Sequence, residues 1–183
     1  MKESPTLRRY SMEASRQPQV FINFRGSELR YTFVYYLRTA LVKNGINVFT
    51  DNMEPKGRNQ KILFKRIEES KIALAIFSSR YTESSWCLEE LVKMKECMDA
   101  EKLVIIPIFY IVTPYTIKKQ MGDFGDKFRV LVDYVDDVTE KKWTDALKSV
   151  PLILGITYDG QRYANLLLLI VHLIKGKQNC PLN

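Results

Sequence analysis

Ile72-Ala73-Leu74-Ala75-Ile76-Phe77, followed after a short polar break by Ser84-Ser85-Trp86-Cys87-Leu88-Glu89-Glu90-Leu91, reads as a strand running into a helix. The first run is apolar at every position, the pattern of a strand covered on both faces rather than one. The second sets an indole, a thiol and two acids on the expected first turn of a helix. Ligands of open α/β sheets bind just past the carboxyl ends of strands, and this cluster falls there.

Working outward, Gln19-Val20-Phe21-Ile22-Asn23 is an expected first strand and Ile46-Asn47-Val48-Phe49 a second. Between them Phe33, Leu37, Ala40 and Leu41 recur at helical spacing, and Gly45 stands where a helix would end. Asp51 to Gly57 has the composition of a loop, and Ile62 to Ile67 marks a helix leading into the Ile72 strand. Leu103 to Tyr110 is a further apolar run, whose Pro107 predicts an edge, a bulge or the strand's limit. A fifth strand is expected at Leu152-Ile153-Leu154, then an amphipathic helix from Leu166 to Ile174.

Continuous apolar strands alternating with helices predict an α/β fold, a central five-stranded parallel sheet between two helical layers. Right-handed crossovers return the strands in one direction. Phe24-Arg25-Gly26, Glu54 to Gly57 and Ser78 to Glu90 should then share a rim. We divide the chain into a polar leader, residues 1–18, one domain over 19–176 and a tail, 177–183.

The 183 residues are 46% hydrophobic and 11% aromatic, enough for a full core. Leu152 to Ile156 and Leu166 to Ile174 are too short to span a bilayer, and no charged-then-apolar leader opens the chain. The expected location is therefore the cytoplasm, with the nucleus as a second compartment. Three cysteines without paired spacing and one histidine predict neither a structural zinc site nor a disulfide framework. A net charge of +7 suits an anionic partner, but the basic residues are dispersed, which weakens a nucleic-acid reading.

No Gly-x-Gly-x-x-Gly or Gly-x-x-x-x-Gly-Lys cradle is present, and His172 is far from any nucleophile elbow. A carboxylate is left as the leading chemical group. Glu90 follows Trp86 by four residues and shares its helix face, whereas Glu89 is rotated about a hundred degrees away. Both acids have a plain alternative role in stabilising a helix start, and Trp86 one as a plug between helix and sheet. An indole beside an acid suits a flat heterocycle on a ribose. One carboxylate suffices to cleave a nicotinamide riboside bond, because a pyridinium departs without being protonated and only the oxocarbenium-like centre needs a nearby anion.

In order along the chain, Val20-Phe21-Ile22-Asn23-Phe24-Arg25-Gly26, Arg30 with Thr32-Phe33, Ile67-Glu68-Glu69-Ser70, Phe77-Ser78-Ser79-Arg80-Tyr81, the Trp86 segment, Ile106 to Tyr110, Gly122 with Phe124-Gly125, and Trp143 with Ala146-Leu147 resemble a plant Toll/interleukin-1 receptor (TIR) domain. The resemblance covers about Gln19 to Leu147. It implies a flavodoxin-like domain and, as in many plant members, hydrolysis of NAD⁺ on self-association, giving ADP-ribose-type signals in immunity and cell death. By motif position it places the catalytic glutamate on Glu90. Phe24, Arg25, Gly26, Arg30, Gly57 and Trp86 fall on substrate-binding positions, and Cys87 on a cysteine tied to a second activity, 2′,3′-cyclic nucleotide synthesis from nucleic acid. NAD⁺ is then substrate, with no resident cofactor or metal, and the expected partners are further copies of the chain or other TIR proteins.

The resemblance leaves open a non-catalytic adaptor, for which Lys56 and Arg58 would be docking charges. Nothing after Leu147 reads as an ATPase or leucine-rich region, so a TIR-only protein is expected. Three departures stand out: Ser27-Glu28 in place of an acidic pair, Tyr35-Tyr36 in place of the Ser-His used for self-association, and the less acidic Ile111 to Thr116.

Overall fold

A computed structural model describes residues 19–50 and 60–178. Its sheet has five parallel strands in the order β2-β1-β3-β4-β5: β1 (Gln19–Phe24), β2 (Val48–Thr50), β3 (Ser70–Phe77), β4 (Val104–Tyr110) and β5 (Ile156–Tyr158). The order reverses beside β1, so β1 and β3 are neighbours with helices leaving to opposite faces, the arrangement that opens a crevice at their carboxyl ends. The helices are α1 (Ser27–Arg30), α2 (Phe33–Lys43), α3 (Gln60–Glu69), α4 (Ser85–Asp99), α5 (Pro114–Lys119), α6 (Gly122–Val132), α7 (Asp137–Ser149) and α8 (Tyr163–Gln178).

Strand alternation divides the core in two. Val20, Ile22, Phe24, Ile72, Leu74 and Ile76 pack with Leu37 and Leu41 of α2 and Ile170 and Ile174 of α8. Phe21, Ala73, Ala75 and Phe77 face Ile67 of α3, Leu88 and Leu91 of α4, and Trp143 and Leu147 of α7. This two-sided burial is why the strands read as unbroken apolar runs.

The fifth strand is not where the sequence suggested. Val150–Leu152 forms a 3₁₀ turn around Pro151, and Leu154 is 95% exposed. The strand is Ile156–Tyr158, a short edge with only its first and third residues turned inward, so its sequence carries no apolar run. Pro107 lies inside β4, opposite Ala75 in unbroken register with β3. On its other side β5 pairs only with Ile108 to Tyr110, so the missing N–H falls just before that pairing begins.

Helices α5, α6 and α7 fill the span between β4 and β5. Gly125 is required at the α5–α6 corner, where an added Cβ would lie 1.7 Å from the Gln120 carbonyl oxygen. Among the described residues no helix is long and apolar enough to cross a membrane.

Candidate active site

The carboxyl ends of β1 and β3 meet as expected. β1 delivers Asn23 and Phe24 and then turns at Gly26, whose φ of 106° is open to glycine at little cost. β3 runs into a 3₁₀ turn, Tyr81–Glu83, and then α4. The second loop, including Gly57 and the charges Lys56 and Arg58, lies outside the described residues.

Ser84 caps α4, its Oγ accepting from the Cys87 N–H at 3.4 Å, with Ser85 as the first helical residue. Glu89 and Glu90 therefore lie in the second turn, not the first, and beyond most of the helix-terminal field. Each has a specific partner instead. Glu90 is 5% exposed, and its Oε2 accepts from Asn23 Nδ2 at 2.8 Å. Glu89 Oε1 accepts from the indole Nε1 of buried Trp143 at 3.0 Å.

Trp86 is 49% exposed and is not a core plug. It also parts from Glu90. Its indole lines an open groove of about 600 Å³ with Gln60, Ser85, Glu89, Tyr134, Asp136 and Trp143, so the acid beside it is Glu89. The exposed ring therefore shares surface with the residue three on, while Glu90, four on, turns beneath the helix toward β1. Tyr134 and Asp136 come from the α6–α7 connection, which no motif had singled out.

The inward side is a shared hydrogen-bond set. Asn23 Nδ2 donates to Glu90 and, at 3.2 Å, to the Cys87 carbonyl. The Tyr81 hydroxyl donates to Asn23 Oδ1 and also lies 3.1 Å from the Cys87 carbonyl. Tyr81 is fully buried, and burial first, then the nearby Cys87 and Glu90, pushes its phenol well above the usual range, so it stays protonated. The Cys87 thiol is 6% exposed and donates to the Phe24 carbonyl at 3.3 Å.

The two arginines that follow β1 have contacts with other residues as well. Arg30 sits over the buried Phe24 ring, its Cζ 5.9 Å from the centroid. Phe24 thus supports an arginine and offers no open stacking face. Arg25 Nη2 lies 3.8 Å from Glu83 Oε2, with Arg80 at 2.8 Å from the same oxygen and Lys127 of α6 at 3.1 Å from the other. Hydrogen bonding from Arg80, then Lys127, holds Glu83 below the ordinary carboxylate range.

Of the motif positions, Tyr35 and Tyr36 are exposed on α2, their rings edge to face at 5.5 Å, and Tyr36 approaches Tyr163 of α8 at 6.4 Å. Ile111 and Tyr115 are likewise exposed, with Ile111 at a φ of 54° that β-branched residues rarely adopt.

Known proteins place this geometry. The TIR domain profile matches residues 19–179. Disease resistance-like protein CSA1 of Arabidopsis thaliana is 57% identical over 143 residues, 78% of this chain and 12% of that protein. Disease resistance protein RPS4, also of Arabidopsis thaliana, is 54% identical over 143 residues, with the same 78% and 12% coverage. The chain thus corresponds to about an eighth of the length of these relatives. Among solved structures, the TIR domains of the activated Roq1 resistosome superpose with a TM-score of 0.78 at 34% identity, covering 86% of this chain and 99% of that one. The RPS4 and RRS1 TIR domain heterodimer, at a TM-score of 0.51 and 16% identity, shares the fold. On the order of its strands and the span of the match, the chain belongs to the TIR domain family, with plant disease-resistance proteins among its relatives.

Proposed function

We propose that the chain is a TIR-domain NAD⁺ hydrolase that acts when copies associate, with Glu90 as its catalytic carboxylate. The observation that carries this reading is the placement of Glu90 at the joined ends of β1 and β3, where Asn23 holds its carboxylate. A carboxylate oriented by a hydrogen-bond donor is an effective electrostatic partner for positive charge that develops beside it.

In the proposed reaction the bond between ribose C1′ and the nicotinamide nitrogen breaks. Its electron pair goes to the pyridinium, which leaves neutral, and positive charge develops on the ribose. Glu90 stabilises that charge, water adds to C1′ and a proton is released, giving nicotinamide and ADP-ribose. Trp86 and Tyr134 supply flat surface for a ring of the bound substrate, with Glu89 and Asp136 beside them. Arg25 and Arg30 flank the rim as phosphate partners. NAD⁺ is the substrate, and no resident cofactor is invoked.

The depth of Glu90 supports dependence on assembly, because a carboxylate 5% exposed in the single chain must be uncovered to meet ribose. The similar Roq1 TIR domains belong to an activated resistosome, and we extend such TIR–TIR association to this chain. The test is nicotinamide release from NAD⁺ by concentrated protein with a crowding agent, beside Glu90→Ala. Release by the wild type alone supports the assignment; no release from a verified oligomer overturns it.

A non-catalytic adaptor is the second reading, favoured by the exposed Tyr35-Tyr36 pair on α2. It predicts that signalling survives Glu90→Ala. Cyclic nucleotide synthesis through Cys87 ranks below both, since the thiol is buried and directed at the Phe24 carbonyl.

A further inference from the structure

We infer that Asn23, oriented by Tyr81, is the positioning residue that fixes the Glu90 carboxylate; the catalytic part of this inference rests on the hydrolase reading above. The argument starts from which atoms can face which. Glu90 Oε2 and the Cys87 carbonyl both only accept hydrogen bonds when the glutamate is ionised, and both lie within 3.2 Å of the same end of the Asn23 amide. That end must therefore be the NH₂ group. Reversing the amide would set its oxygen against two other oxygens in a buried site.

The other end is decided by Tyr81. Asn23 Oδ1 needs a donor, and the only polar atom the structure sets against it among the described residues is the Tyr81 hydroxyl. Burial of the phenol keeps its proton in place. Given to Asn23 Oδ1 rather than to the Cys87 carbonyl 3.1 Å away, the Tyr81 proton reinforces the amide orientation that turns two donors toward that carbonyl and Glu90. The three groups come from three separate segments, β1, the 3₁₀ turn and α4, so the set also locks the helix start to the sheet.

None of these atoms is oriented by solvent. Asn23 is 1% exposed and Tyr81 fully buried. An amide in the interior of an otherwise apolar strand is costly unless each of its atoms is satisfied, and here one of its bonds goes to the proposed catalytic group. A structural role through the Cys87 carbonyl would need that donor but not the second bond, to Glu90.

The test compares Tyr81→Phe, Asn23→Leu and Asn23→Asp with the wild type in assembled, nicotinamide-releasing protein. Tyr81→Phe keeps the ring and removes only the proton that orients the amide. Misplacing a catalytic group by about 1 Å costs on the order of 100-fold, so kcat should fall by about that factor in Asn23→Leu and Asn23→Asp and about 10-fold in Tyr81→Phe, with KM within about threefold. Values of kcat within threefold of wild type in folded Tyr81→Phe and Asn23→Leu would overturn the inference.

A second readout does not need activity. In the isolated chain the side-chain amide protons of Asn23 should exchange slowly and shift in the NMR spectrum on Glu90→Gln and on Tyr81→Phe. An Asn23 amide signal indifferent to both substitutions overturns the inference even if the protein has no hydrolase activity. Failure of the wild type to release nicotinamide, by contrast, removes the hydrolase reading and leaves this signal to decide the positioning role.

Discussion

Two adjacent acids on one helix end in opposite surroundings. Glu90 turns under α4 into a buried corner where Asn23 links it to Tyr81 and the Cys87 carbonyl. Glu89 turns outward to a groove shared with Trp86, Tyr134 and Trp143. The corner is buried and its groups are hydrogen-bonded, so it is suited to holding a carboxylate in a set direction. The groove is open and aromatic, so it is suited to receiving a ring. A site that must both fix an anion and admit a ligand gains from separating the tasks by one residue of helix, about a hundred degrees of rotation.

The contrast is sharpest between the two tryptophans. Trp143→Ala should destabilise the protein by about 3–5 kcal/mol, because it empties a buried site and removes the partner of Glu89. Trp86→Ala should cost under about 1 kcal/mol, since half of that ring is already in water. Denaturant midpoints for the pair check both, and equal losses would dissolve the distinction between corner and groove.

Within the corner, Tyr81→Phe leaves Asn23 Oδ1 buried without its donor and should cost about 1–3 kcal/mol. Thermal or urea unfolding measures this, and a neutral substitution would mean that Oδ1 does not depend on that donor. At the helix start that serves both regions, Ser84→Ala removes the cap to Cys87 N–H and should cost about 1 kcal/mol. Because α4 carries both acids, this variant should loosen corner and groove together, seen as faster amide exchange at Cys87 and Leu88.

The smallest effect concerns the rim. Glu83 has a folded pKa below its ordinary 4.5, through Arg80 first and Lys127 with it. Its contribution is therefore present above that ordinary value and lost as pH falls through the lowered one. The ion pairs are partly exposed, so the loss should be under about 1 kcal/mol. Melting temperatures of the wild type should fall more steeply below pH 4.5 than those of Glu83→Gln; parallel curves would show that the pairs add nothing.

Much of this was legible in the chain. The runs at Val20, Ile72 and Leu103 became β1, β3 and β4 because residues buried on both faces leave an unbroken apolar signature. Their shared rim followed from handedness alone. β5 was misplaced because an edge strand of three residues alternates too briefly to compete with the more apolar Leu152-Ile153-Leu154 beside Pro151. The pairing of Trp86 with Glu90 failed for another reason: spacing fixes where side chains leave a helix, whereas the ring's direction was set by the groove beside Trp143.

Asn23 carried a usable signal. An amide inside Val20-Phe21-Ile22-Asn23-Phe24 has to find partners when the strand is buried, and a search for them would have looked to the next strand's exit, where Tyr81 lies. Trp143 likewise announced itself by its spacing to Ala146 and Leu147, one face of a helix. What no pattern could supply was the sharing of a groove by residues from α4 and the α6–α7 connection, which depends on how the helices pack.

The measurement that bears most directly on the division between the two acids is nicotinamide release from NAD⁺ by assembled wild type, Glu90→Ala and Glu89→Ala, each verified as folded. The account predicts release by the wild type, its loss in Glu90→Ala and its retention at more than about a tenth of the wild-type rate in Glu89→Ala, a loss of less than about 1.4 kcal/mol in barrier terms. Loss in Glu89→Ala with retention in Glu90→Ala would place the chemistry in the groove and contradict it.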